Sequence, residues 1–205
     1  FEIKAKVNFL SAAKFSQAPA IDGKLDDWTL VPAHLIKGET WVQRSKKHFQ
    51  NENDCWAELR LGWDENAFYL ACEVTCKDFI QNQTGSTTWK DDCIQISFDL
   101  DPFRKQADTG NLLENIATAK RFCEINLALT KNGVESFRSR SFDLFKFPVG
   151  LVGRNDLPMA ISKTTKADGS TLLIYEAAFP WKTLGAKQIQ EINNSIGMAI
   201  SINYR

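Results

Sequence analysis

Residues 87–101 read TTWKDDCIQISFDLD, and the second half of this stretch alternates strictly. Ile94, Ile96, Phe98 and Leu100 fall on one side and Cys93, Gln95, Ser97 and Asp99 on the other. That period of two is the mark of a strand with one face against a core. The same period recurs on either side of it. Ala57, Leu59, Leu61 and Trp63 alternate with Trp56, Glu58, Arg60 and Gly62, and Asp64-Glu65-Asn66 supplies a turn into Phe68, Leu70, Cys72 and Val74. This predicts a β-hairpin with one apolar face, its other face carrying Arg60 within reach of Glu73.

Further strands follow by the same reading. Cys123, Ile125, Leu127 and Leu129 point inward and Phe122, Glu124, Asn126 and Ala128 outward. Residues 159–165 and 171–179 form a second hairpin about Ala167-Asp168-Gly169, then FPWKTLG bends, and IGMAISIN (196–203) closes as a buried strand. At the start, IKAKVNFL (3–10) alternates as a strand, and APAIDGKLDDW (18–28) turns so that Trp28 drops back onto the core. Residues 41–54 and 102–119 are polar and lack a period, and read as loops, the second with a short helix over 112–119. Strands never alternate with long amphipathic helices. The fold class is therefore all-β, an antiparallel β-sandwich of immunoglobulin-like or jelly-roll-like type, with residues 1–205 as one domain.

Composition narrows the function. Lys plus Arg at 25 offset Asp plus Glu at 25, so no basic field is available for a nucleic acid or an anionic membrane surface. No apolar run reaches the roughly 20 residues of a membrane span. The five cysteines include no CxxC pair, so they read as buried small hydrophobes rather than as a zinc site.

Enzyme motifs are missing from the sequence. There is no GxSxG, HExxH or GxxxxGK[ST], and the two histidines, His34 and His48, stand outside any motif. Asp26-Asp27 and Asp91-Asp92 are paired carboxylates, but adjacent residues of a strand point to opposite faces and cannot flank one bond. A non-catalytic role follows. The loop-end acids Asp22, Asp26, Asp78 and Asp92 are the candidate ligands for calcium, a hard cation that takes carboxylate and carbonyl oxygens.

Trp89 leads into the polar face of its strand. A flat aromatic ring beside amides suits the C–H face and hydroxyls of a sugar. Parity puts Gln95, Glu124 and Asn126 on outward faces of neighbouring strands, so these three, with Arg60, are the expected hydrogen-bonding partners of an oligosaccharide or polysaccharide.

The blocks APAIDGKLDDW, LRLGWDENAFYLACEV, TTWKDDCIQISFDLD, YEAAFPWKTLG and IGMAISIN, in this order, resemble carbohydrate-binding module family 9 and its DOMON-like sandwich relatives. The resemblance covers about residues 18–203. It implies a calcium-containing, non-catalytic β-sandwich that binds glycan ends. It also implies an accessory module of a larger secreted or cell-surface glycan-processing protein, with further domains in a parent chain. Members clamp a sugar between two tryptophans. Trp89 matches the first of these, and Asn126 matches a sugar-contacting asparagine. Gln95 stands where glutamate is common, and Glu124 where an arginine can occur. Cys76 takes a place often held by aspartate. The family's second clamp tryptophan lies on strands beyond the position of Arg205, so either this jaw is supplied from outside residues 1–205 or this relative does not clamp a sugar in the family's way. Two other readings are a haem-binding DOMON-type domain, with Met159, Met198, His34 and His48 as candidate axial ligands, and a structural or protein-interaction domain of a surface protein.

Overall fold

A computed structural model describes residues 10–41, 51–100, 122–186 and 195–205. The strand expected over 3–10, the short helix over 112–119, His48 and most of the 41–54 loop lie outside the described residues, apart from Leu10 at the end of that first stretch. Eleven strands are described: β1 (Ala13–Lys14), β2 (His34–Ile36), β3 (Cys55–Trp63), β4 (Ala67–Cys76), β5 (Cys93–Asp99), β6 (Phe122–Thr130), β7 (Gly133–Arg140), β8 (Gly150–Leu151), β9 (Met159–Thr165), β10 (Thr171–Pro180) and β11 (Gly197–Asn203). They form two sheets. The first runs β1-β3-β4-β10-β9, with β2 also on β3, and the second runs β11-β5-β6-β7-β8. Every pairing is antiparallel except that of β1 with β3.

The inward faces of β3, β4, β5 and β6 are those set by parity, and β10 adds its own. Ala57, Leu59 and Leu61 of β3, Phe68, Leu70, Cys72 and Val74 of β4, and Leu173, Tyr175, Ala177 and Phe179 of β10 share one core with Ile94, Ile96, Phe98, Cys123, Ile125 and Leu127 of the second sheet. Phe98 knits the two sheets, its ring lying 5.6 Å from Phe68 and 4.9 Å from Phe179. Each large side chain in this layer contributes about 1.5–3 kcal/mol by leaving water.

The hairpin differs from its expected form. Ala67, Tyr69 and Ala71, on the face of β4 turned away from the core, are also buried, in a second cluster with Trp28, Val31 and Ala178. The reason is the segment before β2, which crosses the outer face of the first sheet. Trp28 therefore packs on the back of that sheet rather than in the space between the two. Phe15 stands edge-on to Trp28 and Tyr69 at 5.2 and 5.8 Å. Gly62 leaves room for the Phe15 ring, which a Cβ at that position would strike.

The anchor of this cover is Glu176, whose side chain points outward from β10 yet is fully buried. One carboxylate oxygen accepts the backbone N–H groups of Asp22, Gly23 and Lys24 at 3.0, 2.6 and 3.1 Å, and the other accepts the Trp28 indole N–H at 2.8 Å. Gly23, at φ +84, turns the chain so that successive amides converge on one oxygen. The blocks IDGKLDDW and YEAAF, far apart in sequence, meet here.

Three smaller expectations are corrected. Arg60 bonds Glu58 on its own strand at 2.9 Å instead of reaching Glu73, because its cross-strand partner is Ala71. Among the described residues the closing strand β11 has a neighbour on one side only, and its Ala199 and Ser201 are exposed. Cys93, assigned to the outward face, is buried, for β11 lies alongside and Asn203 contacts its sulfur at 3.5 Å.

Candidate functional site

With the middle of the first sheet's outer face closed, the outer face of the second sheet is the broad polar surface left among the described residues. Register sets its rungs. Gln95 lies between Ser201 of β11 and Asn126 of β6, and Ser97 lies between Ala199 and Glu124. Gln95, Ser97 and Glu124 are half-buried, while Asn126 lies beneath them at 1 % exposure.

Trp89 is brought to this face by the 3-10 turn Gly85–Lys90. Gly85 begins the turn at φ +55, and its N–H donates to Glu135 at 2.9 Å. The Thr87 and Thr88 hydroxyls each bond a carbonyl three residues back, at 3.0 Å. The Trp89 ring is 45 % exposed, with the Lys90 ammonium 5.8 Å from its centre.

A chain of side-chain bonds joins turn and sheet. The Asn126 amide donates to the Thr88 hydroxyl at 3.3 Å and accepts from Gln95 at 3.2 Å. Asn203 donates to Gln95 Oε1 and to the Trp89 carbonyl, both at 2.9 Å. Glu124 receives the Ser139 hydroxyl at 2.6 Å and the Ser97 hydroxyl at 3.3 Å, with Arg140 Nε 3.9 Å away. Three of the five residues singled out from the sequence, Gln95, Glu124 and Asn126, thus share one face, and Trp89 sits in the turn joined to it through its own carbonyl and the Thr88 hydroxyl. Arg60 does not share that face. Leu59 and Leu61 point into the core from β3, so Arg60 faces outward from the opposite sheet. Asn203, Thr88 and Ser139 were missed; parity on β11 and the position next to Trp89 were the available signals for the first two.

The paired aspartates hold the Trp89 turn in place. Asp91 accepts the Asn82 N–H at 3.0 Å and Arg205 Nη1 at 2.7 Å. Asp92 accepts the N–H groups of Ile80 and Arg205 at 2.9 and 2.8 Å. Gln81 adds bonds to the Thr88 and Asp92 carbonyls at 3.1 and 2.8 Å. The Asn82 N–H, followed by Arg205, holds the Asp91 carboxyl below the usual carboxylate range. Burial, with the charges of Asp91 and Asp78 nearby, pushes Asp92 up from 3.8 to about 6 against its two N–H donors.

A raised carboxyl pKa in the folded state favours folding where the group is protonated. The Asp92 contribution is therefore full below its unfolded value and is lost as pH rises through 3.8 to about 6. The stability of the wild-type protein relative to Asp92→Asn is expected to fall across that window and level off above it, as urea denaturation at stepped pH would measure. A flat difference would refute the assignment.

The four acids suggested for calcium do not converge. Asp22 bonds the N–H and ammonium of Lys24 at 3.0 and 3.2 Å, and Asp26 begins the Asp26–Trp28 turn, both in the segment that covers the first sheet. Asp78 and Asp92 lie at the loop before β5, where both Asp92 oxygens are taken by N–H donors. Among the described residues no group of three or more His, Cys, Asp or Glu side chains is arranged to hold a metal ion. As for haem, Met159 sits in the core, Met198 packs against it from the other sheet, and His34 lies on β2 with Nε2 3.5 Å from the Ser11 carbonyl. No described helix is long and apolar enough to cross a membrane.

Comparison with known proteins agrees with this architecture. Residues 21–143 match the profile of the family described as carbohydrate family 9 binding domain-like. A carbohydrate binding module family 9 from Caldicellulosiruptor kristjanssonii, solved in complex with cellotriose, superposes with a TM-score of 0.53 at 17% identity, covering 94% of this chain and 75% of that one. A structure of such a module from the same organism in complex with glucose gives a TM-score of 0.50 at 17% identity, covering 94% and 78%. No curated protein matches the chain.

Proposed function

The chain belongs to the carbohydrate family 9 binding domain-like family, and from that premise we propose that it binds a glycan, without catalysis, on the outer face of its second sheet. The observation that carries this reading is a half-exposed tryptophan, held by hydrogen bonds of its own turn, beside a row of amides and a carboxylate on the face left open. The sugar stacks on Trp89, and the hydrophobic ring face replaces water over its C–H groups. Gln95, Glu124 and Asn203 exchange hydrogen bonds with its hydroxyls. Asn126, buried and bonded on both amide atoms, orients Gln95 and Thr88 from below. Because the solved modules of this fold carry cellotriose and glucose, a β-linked glucan or its terminal glucose is the first ligand to test. The chain serves as a targeting module of a larger secreted or cell-surface protein that processes such glycans.

Titrating the intrinsic tryptophan fluorescence with glucose, cellotriose and a panel of other oligosaccharides tests this. A saturable change with at least one β-glucan is expected. Indifference to every sugar up to millimolar concentration would overturn the proposal.

A further inference from the structure

Two of the five cysteines face each other. Cys55 and Cys76 are direct partners across β3 and β4, and just beyond them the Lys77 N–H donates to the Asp54 carbonyl at 2.8 Å. Hydrogen-bonded and non-hydrogen-bonded pairs alternate along an antiparallel ladder, so the bond between 54 and 77 makes 55 and 76 a non-hydrogen-bonded pair. The other end of the hairpin fixes the same phase. There the Asp64 N–H donates to the Ala67 carbonyl at 3.0 Å, an even number of rungs away. Pairs of this kind hold their Cα atoms about 4.5 Å apart with side chains in contact, inside the span of about 4.4–6.8 Å that a disulfide bridges.

The remaining cysteines have no such partner. Cys72 is opposite Leu59, Cys93 opposite Asn203 and Cys123 opposite Phe98, all three buried. Cys76 is 3 % exposed, whereas Cys55 is only partly covered and open to a small reagent. The Cys55 thiol beside it, together with burial, holds the Cys76 thiol well above the usual range.

We propose that Cys55 and Cys76 are a reversible cross-strand disulfide pair, oxidised by exchange with a low-molecular-weight disulfide such as oxidised glutathione. The Cys55 thiolate attacks one glutathione sulfur and releases one glutathione thiolate, leaving a mixed disulfide. Cys76, deprotonated, then attacks the Cys55 sulfur and expels the second glutathione. Two protein thiols are oxidised, one glutathione disulfide is reduced to two thiols, and the two thiol protons pass to solvent or to the released glutathione. The bridge ties the end of β4 to the start of β3, at the point where the chain leaves for the loop that carries Trp89. This inference stands independently of the sugar-binding reading.

The test uses the whole reduced protein, incubated with excess oxidised glutathione at about pH 8, where the thiolate is better populated. The expected product is a monomer lighter by about 2 Da, the two hydrogens lost on forming one bridge. Its titratable thiols under denaturing conditions drop from five to three. Non-reducing proteolysis is expected to yield one peptide pair joined through Cys55 and Cys76, restored to free peptides by dithiothreitol. Cys55→Ser is expected to keep all four remaining thiols unbridged. Should that variant fail to fold, the wild-type peptide map decides alone. Retention of five thiols, a lasting glutathione adduct, a bridge between other cysteines or a disulfide-linked dimer would each overturn the proposal.

Discussion

Glu176→Ala is expected to lower the stability of the fold by about 4 kcal/mol, because it strips the shared acceptor from four N–H donors at once. The donors are the amides of Asp22, Gly23 and Lys24 and the indole of Trp28. Each donor left buried without a partner costs about 1–3 kcal/mol, though the four are not additive once the segment lifts and water enters. Lifting carries a second cost. Trp28, at 0 % exposure, and Val31 would return to water together with the back of Tyr69 and Ala71. Glu176→Gln keeps an oxygen for one side of the cradle but turns an NH2 group toward donors on the other, so an intermediate loss is expected. Urea denaturation followed by far-ultraviolet circular dichroism measures both. A loss below about 1 kcal/mol for Glu176→Ala would show that the segment is held by its apolar contacts alone.

The same site marks the boundary of what parity can tell. A period of two separates inward from outward on each strand, and the residues it assigned to the core of β3, β4, β5 and β6 are found in it or packed against it. It does not say which of a sandwich's two outer faces an outward residue occupies. Arg60 and Gln95 are equivalent by alternation, yet they project from opposite sheets, since β3 and β5 never pair. Nor does it show that an outer face is covered. Ala67, Ala71 and Ala178 carry too little side chain to signal burial, and their cover depends on a loop held by backbone amides, which have no sequence identity.

Asp91 and Asp92 illustrate the same limit. As letters they are a pair of carboxylates, and Asp92 is a candidate cation ligand. Their oxygens go instead to the amides of Ile80, Asn82 and Arg205 and to the Arg205 guanidinium, and so they fix the turn before β5. The pairing of Gln95 with Asn126 was legible, because parity put both on outward faces and the register of neighbouring strands brings them together.

Trp89→Ala is expected to weaken binding of the responding glucan by at least about tenfold, equivalent to about 1.4 kcal/mol, while leaving the melting temperature nearly unchanged. The argument rests on exposure. A ring 45 % exposed contributes little to the core, whereas a sugar laid on it would cover the area now facing water. The backbone contacts of Trp89, including its carbonyl to Asn203 at 2.9 Å, survive truncation of the side chain. Thr88→Val provides the contrast. It removes the hydroxyl that bonds the Gly85 carbonyl at 3.0 Å and accepts from the Asn126 amide at 3.3 Å, and it leaves that buried amide short of a partner. Both stability and affinity are expected to fall in that variant, by about 1–3 kcal/mol for the former. Calorimetric titration with the glucan, beside thermal melts of the two variants, separates a contact residue from a supporting one. If Trp89→Ala binds within about twofold of the wild type, the difference is under 0.5 kcal/mol or so, too small for a stacking platform. The ligand would then have to lie elsewhere on the chain.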